Sequence, residues 1–64
     1  MIPRRALSPR QREILRLVAR GFCDKEISAE LGVKENTIAA HFTEIFARLK
    51  ARSRAHAVAI FIQK

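Results

Sequence analysis

The sequence contains few of the residues on which several protein classes depend. It has one cysteine (Cys23), two glycines, two prolines, and neither tryptophan nor tyrosine. A single cysteine excludes an internal disulfide and a multi-cysteine zinc site, and it is typical of a reducing compartment. Because prolines and glycines are scarce, we expect short connections between the elements of the fold.

Long apolar segments are also absent. No run approaches the roughly 20 residues that cross a bilayer, and the start does not resemble a signal peptide, since Arg4 and Arg5 lead into a helical pattern. We therefore expect a soluble, cytoplasmic protein. With 64 residues, of which 48% are hydrophobic, the chain is expected to form one small folded domain over residues 1–64.

Acidic residues are few compared with basic ones. Thirteen Lys and Arg face six Asp and Glu, which gives a net charge of +7. The basic residues concentrate at the two ends, in residues 1–20 and 41–64, and the segment between them is mildly acidic. This excess predicts a polyanionic partner such as nucleic acid or an acidic membrane surface, the alternative being a solvated surface without a partner.

The apolar residues follow helical spacing along the whole chain, which predicts an all-α fold. The first helix is expected over residues 9–20, because Ser8 can cap it, Pro9 suits its first position and Gln11 completes a capping box. Gly21 stands where a left-handed residue ends such a helix. The expected inward stripe is Ile14, Leu15, Leu17 and Val18.

Three more helices are predicted, over residues 25–31, 35–50 and 53–62. Asp24 and Ser53 are the expected caps of the second and fourth. The third has an apolar stripe of Ile38, Phe42, Ile45, Phe46 and Leu49. Gly32 ends the second helix, and a short helix joined to another by a tight glycine-containing turn is typical of the helix-turn-helix unit.

The fourth helix has apolar residues on two sides. One face contains Ala55, Val58, Ala59 and Ile62, and roughly opposite it are Ala57, Ile60 and Phe61. A terminal helix of a small domain buries only one face internally, so the first face predicts a partner helix and a homodimer. The alternative is that its alanines are simply exposed.

Several short motifs follow one another along the chain: Leu7-Ser8-Pro9-Arg10-Gln11-Arg12-Glu13-Ile14-Leu15, Gly21, Asp24-Lys25-Glu26-Ile27-Ser28, Leu31-Gly32-Val33, Thr37-Ile38, His41, Leu49 and Ser53-Arg54-Ala55. Together they resemble the LuxR/FixJ-type (NarL/GerE-like) helix-turn-helix domain over residues 7–62. The resemblance implies a four-helix DNA-binding domain of a transcriptional regulator, whose third helix enters the major groove and whose fourth helix dimerises. In that family a sensor or receiver domain usually precedes the domain, so this chain is either a stand-alone regulator or part of a longer one.

The family's roles transfer position by position. The resemblance places Lys25, Thr37 and His41 near DNA phosphates, and it places Asn36, Ala39, Ala40 and Thr43 toward the bases. The sequence departs from the family at Ala39, where Lys or Arg is frequent, and at Lys34, where a capping Ser or Thr is frequent. We therefore expect few direct base contacts and an affinity that depends on phosphate neutralisation by basic side chains. Those side chains are Lys25, Lys34, Arg48, Lys50, Arg52 and Arg54.

Some charged residues have a second interpretation. Arg10 and Glu13 have helical spacing for an ion pair, and Arg54 is either a phosphate contact or a tie between the fourth and third helices. His41 is as readily a core or surface histidine, and with His56 and Cys23 it has no metal-ligand spacing. We therefore expect no metal or cofactor.

Two other classes of binding protein fit part of the pattern. Region 4 of a sigma factor has a similar start and a similar turn, but the apolar fourth helix and the Ser53-Arg54-Ala55 motif argue against it. A helical protein–protein module without DNA binding is the second. An enzyme is not expected, because the sequence has no paired carboxylates, Cys/His dyad or glycine-rich phosphate loop.

Overall fold

A computed structural model describes residues 7–62, and the regular structure in this range is helical. Its elements are α1 (Pro9–Ala19), α2 (Asp24–Leu31), α3 (Glu35–Leu49) and α4 (Arg54–Ile62). The all-α prediction is confirmed, and each helix agrees with its predicted bounds to within one residue at either end. Arg4, Arg5 and the rest of residues 1–6, together with residues 63–64, lie outside the described part of the chain.

The first helix begins with the predicted capping box. The Oγ of Ser8 accepts the N–H of Gln11 at 3.1 Å, and the N–H of Ser8 donates to Oε1 of Gln11, also at 3.1 Å. Two backbone donors that the helix itself leaves unpaired are satisfied in this way. The helix ends at Ala19, and Gly21, two residues later, has a φ of +94°, which confirms the predicted left-handed position.

The prediction that Asp24 caps α2 is wrong. Asp24 is the first residue inside the helix, and the cap position belongs to Cys23. The reason lies two residues further along, where the carboxylate of Glu26 accepts the N–H of Cys23 at 2.9 Å. Glu26 thus supplies the acid of a capping box and leaves the Asp24 carboxylate available for another contact.

The third helix has unusual residues at both ends. It begins after Lys34, which makes no side-chain capping bond, as its sequence predicts. It ends at Lys50, which adopts the left-handed conformation with φ +54° although it is not a glycine. The N–H of Ala51 then donates to the carbonyl of Phe46 at 3.0 Å. The predicted helix included Lys50, because no glycine there signals the end.

Ser53 caps α4 as predicted. Its Oγ accepts the N–H of His56 at 3.1 Å. The His56 ring also contacts the loop before α4, because its Nδ1 accepts the N–H of Arg52 at 3.1 Å. These bonds give the short connection between α3 and α4 a defined shape.

All four helices contribute to a single apolar core. The buried hydrophobic side chains are Leu7, Ile14, Leu15, Leu17, Ile27, Ile38, Phe42, Ile45, Leu49, Ala57 and Phe61. Val18 and Phe46, also predicted to face inward, are partly buried against them, as are Leu31 and Val33. No helix within residues 7–62 is long and apolar enough to cross a membrane.

One polar side chain is buried with the core. Gln11 is 3% exposed, and its Nε2 donates to Oε1 of Glu44 at 2.9 Å. Since its Oε1 also accepts the N–H of Ser8, the amide uses both ends. This side chain joins the start of α1 to the middle of α3 and has its hydrogen bonds satisfied, as burial requires.

Candidate nucleic-acid interface

The turn between α2 and α3 fixes the relative direction of these helices. Gly32 takes a left-handed conformation with φ +69°, and its N–H donates to the carbonyl of Ser28. The N–H of Val33 donates to the same carbonyl at 3.1 Å. Because Ile27 and Ile38 are fully buried on either side of the turn, α2 and α3 form the helix-turn-helix unit that the spacing predicts.

The outer face of α3 carries the four residues that were predicted to face bases. Asn36, Ala39, Ala40 and Thr43 are exposed, whereas Ile38 and Phe42 point into the core. The Thr43 hydroxyl donates to the carbonyl of Ala39 at 3.3 Å, so its oxygen lone pairs are left for outside donors. These four side chains are therefore short and uncharged.

One more residue belongs to this face and was not predicted. Ala47 is exposed and stands one helical turn beyond Thr43. Its i, i+4 spacing from Thr43 was the available signal. With Ala47, the exposed small residues extend over most of α3, which has 15 residues and is about 22 Å long.

Most of the residues predicted to contact phosphate are exposed. They are Lys25, Lys34, Thr37, Arg48, Lys50 and Arg52, and His41 is half-buried. Lys25 and Thr37 lie in the first turns of α2 and α3, where the positive end of the helix dipole favours anions. The Lys34 side chain offers no acceptor to the first-turn N–H groups of α3, although the Lys34 carbonyl accepts the N–H of Thr37 at 3.0 Å.

Arg54 is already engaged within the domain. Its Nη1 and Nη2 donate to Oδ1 and Oδ2 of Asp24 at 2.5 and 2.7 Å. Its guanidinium carbon also lies 4.2 Å from the centroid of the Phe42 ring. Of the two interpretations of Arg54, the contact with Phe42 agrees with the tie between the fourth and third helices, and Asp24 extends that tie to α2.

Two other basic side chains have acidic neighbours along their own helices. Arg10 and Glu13 form the expected pair at 3.5 Å, and Arg48 lies 3.8 Å from Glu44. All four side chains are at least 42% exposed, so such pairs contribute little to stability and leave the arginines accessible to other anions.

The α4 face that was predicted to meet a partner helix is largely uncovered. Ala55, Ala59 and Ile62 are exposed and Val58 is partly buried, while Ala57 and Phe61 on the other side lie in the core. Ile62 is 56% exposed and is the one large hydrophobic side chain exposed among the described residues. The two sides of α4 thus differ as the spacing indicated.

One carboxylate at the start of α2 has a lowered pKa. A hydrogen bond from the Cys23 backbone N–H, with a second contribution from the Cys23 thiol, lowers the pKa of Glu26 below its ordinary value of 4.5. This shift belongs to the capping box of α2. Within residues 7–62, no group of three His, Cys, Asp or Glu side chains stands close enough to hold a metal ion.

Comparison with known proteins gives a family match over nearly the whole chain. The profile of the GerE family, described as bacterial regulatory proteins of the luxR family, matches residues 5–61. The oxygen regulatory protein NreC of Staphylococcus carnosus is 40% identical over 62 residues, which cover 97% of this chain and 29% of that protein.

Two further relatives are similar over a shorter range. The nitrate/nitrite response regulator protein NarL of Escherichia coli K12 is 37% identical over 51 residues, and the transcriptional regulatory protein YdfI of Bacillus subtilis is 41% identical over 51 residues. In both cases the match covers 80% of this chain and 24% of the relative. The chain thus spans less than a third of the length of these proteins. No solved structure gives a significant match.

Proposed function

Because the chain belongs to the luxR family of bacterial regulatory proteins, we propose that it binds double-stranded DNA in a sequence-specific manner as the DNA-binding domain of a transcriptional regulator. The observation that carries this proposal is the exposed face of α3. It consists of small side chains, it lies opposite the buried stripe, and exposed basic residues stand at both ends of the helix. The luxR match decides against region 4 of a sigma factor.

In this proposal α3 enters the major groove, which is about 12 Å wide and admits one helix. Ala39 and Ala40 let the helix backbone approach the bases closely, and their methyl groups match the methyl group of thymine. Asn36 and Thr43 supply the hydrogen-bonding groups on the same face. Since no arginine or lysine stands there, the direct contacts do not include the bidentate pairing with guanine.

Affinity then comes mainly from the phosphate backbone. The phosphate contacts that we propose are Lys25, Lys34, Thr37, His41, Arg48, Lys50 and Arg52. The exposed lysines and arginines release condensed counterions from DNA, so each neutralised phosphate adds about −0.9 to the slope of log affinity against log salt. A helical protein–protein module would bind its partner with a much smaller salt dependence, which separates the two functions.

We also propose that α4 forms a homodimer through Ala55, Val58, Ala59 and Ile62. Small residues on this face permit two helices to approach closely, and Ile62 gives the contact an apolar side chain. Two copies related by a two-fold axis would then contact two half-sites about one helical turn apart.

The relatives suggest how the DNA-binding activity of this chain is regulated. They carry names such as oxygen regulatory protein and nitrate/nitrite response regulator, and they are more than three times as long as the match. We propose that this chain acts as the output domain of a regulator whose activity a separate sensor or receiver domain controls.

Selection of bound sequences from a random duplex library tests the function directly. The purified domain is expected to enrich an inverted repeat with two half-sites, and the binding is expected to weaken steeply as salt increases. Enrichment of a single half-site would contradict the dimer but leave the DNA-binding function intact. Binding that is absent, or that does not respond to salt, would refute the DNA-binding function itself.

A further inference from the structure

The Arg54 side chain contacts two other helices at once. It belongs to the first residue of α4, and its partner Asp24 is the first residue of α2, 30 residues away in the sequence. On α3, the Phe42 ring below the guanidinium is 3% exposed.

The geometry of this contact depends on arginine. Two parallel N–H donors meet both oxygens of one carboxylate, which restricts the guanidinium in its own plane. Stacking on Phe42 restricts it in the perpendicular direction. A lysine keeps the charge but has neither the paired N–H donors nor the planar group of an arginine, so it cannot make the same contacts.

The ion pair also lies between two parts of the proposed interface. Asp24 immediately precedes Lys25, a proposed phosphate contact, and Arg54 immediately precedes Ala55, the first residue of the proposed dimer face. In a dimer built on α4, the distance between the two α3 helices depends on the angle between α4 and the helix-turn-helix unit. A small rotation of α4 therefore moves one α3 relative to the second half-site.

We propose that Arg54 is a positioning residue, which fixes the dimer helix against α2 and α3, and that it does not contact phosphate. This inference rests on the proposed function, since it assigns Arg54 a role in dimeric DNA binding. It replaces the phosphate contact predicted for Arg54, because both terminal nitrogens of the guanidinium donate to Asp24, whose carboxylate already balances the positive charge.

The substitution Asp24→Asn separates the two roles by the sign of its effect. If Arg54 contacted phosphate, removing its acidic partner would free the arginine and strengthen DNA binding. If Arg54 positions α4, the same substitution weakens binding to the two-half-site duplex by about two- to fivefold, the upper part of the range expected for a partly exposed charge pair. Binding to a single half-site should change by less than about twofold. Glu30→Gln, which removes an exposed acid from the same helix, is the matched control and should bind as the wild type or slightly better.

A second variant, Arg54→Lys, keeps the positive charge. A phosphate contact would survive it, whereas a positioning role predicts the same loss on the two-half-site duplex with an unchanged salt slope. The double variant should be no weaker than either single variant, because both break one interaction. Thermal unfolding by circular dichroism checks that each variant is folded.

The outcomes distinguish this inference from the function on which it rests. Tighter binding by Asp24→Asn, or wild-type binding by Arg54→Lys, overturns the positioning role. Equal losses on the two duplexes overturn it as well. If the wild-type chain shows no salt-dependent DNA binding, the proposed function itself is refuted. If it binds two half-sites no better than one, the proposed dimer is refuted.

Discussion

Lys50 offers a test in which stability and DNA binding move in opposite directions. It ends α3 with φ +54° and ψ +39°, a left-handed conformation that glycine adopts freely and other residues adopt at a cost of roughly 1–2 kcal/mol. Glycine also gains freedom in the unfolded chain, which removes part of this difference. We therefore expect Lys50→Gly to raise the free energy of unfolding by about 0.5–1 kcal/mol.

For a domain of this size, that gain corresponds to an increase in Tm of roughly 2–8 °C. The same substitution removes a charge that we propose to neutralise phosphate, so DNA affinity should fall and the salt slope should decrease by about 0.9. Thermal unfolding and fluorescence anisotropy with the selected duplex at several salt concentrations measure the two effects.

Lys50→Ala is the matched control, because it removes the same charge but keeps a Cβ. It should lower DNA affinity as much as Lys50→Gly and should be less stable than that variant by about 1 kcal/mol. Equal stabilities of the two variants would refute the left-handed end of α3. Unchanged DNA affinity in both would refute the phosphate contact of Lys50.

Three further predictions concern the caps and the dimer face. Ser8→Ala should lower the free energy of unfolding by about 1 kcal/mol in denaturant unfolding, because the N–H of Gln11 loses its side-chain acceptor. Ala59→Glu should weaken binding to a two-half-site duplex far more than binding to a single half-site in anisotropy titrations, because it places a charge on the proposed dimer face. Glu26→Gln should make the free energy of unfolding depend less on pH in the acid range. Because the pKa of Glu26 is lowered in the folded protein, its carboxylate stabilises the fold at pH values above the ordinary pKa of 4.5. This contribution disappears as the pH falls through the lowered pKa.

Each of these has a control within the chain. Ser28 lies inside α2 and its hydroxyl donates to the carbonyl of Lys25 at 3.0 Å, so Ser28→Ala removes a hydroxyl without removing a cap and should leave stability nearly unchanged. Ala29→Glu adds the same charge as Ala59→Glu on an exposed position of α2 and should affect both duplexes alike. For Glu26, thermal melts between pH 7 and 3 should converge for variant and wild type at low pH; parallel curves would contradict the capping role.

Local signals predicted the helices because their causes are local. The apolar stripe of α3, the Ser8–Gln11 capping box and the glycines after α1 and α2 each act within about four residues of the sequence. The end of α3 was placed one residue late because Lys50 adopts a glycine-like conformation without being glycine. The start of α2 was misassigned because Glu26, rather than Asp24, completes the cap.

The contacts that join the helices could not be predicted in the same way. Gln11 meets Glu44 across 33 residues, and Arg54 meets Asp24 across 30. Both pairs depend on how the helices pack, which one sequence does not specify residue by residue. For the candidate interface, periodicity did predict which side of α3 is exposed, since the same stripe that defines the core leaves Asn36, Ala40 and Thr43 outside. Their contacts with bases remain a prediction.

The division of α3 into a buried stripe and an alanine-rich outer face has a consequence for how such a domain diverges. Ile38, Phe42 and Ile45 are buried in the core that holds the fold together, whereas Ala39, Ala40 and Ala47 are exposed and lie outside it. Exposed helical positions accept most residues within about 0.5 kcal/mol. A single change at Ala39 or Ala40 therefore alters the chemistry presented to the groove while folding is unaffected, so duplicated copies of this domain are free to acquire new target sequences before any compensating change in the core.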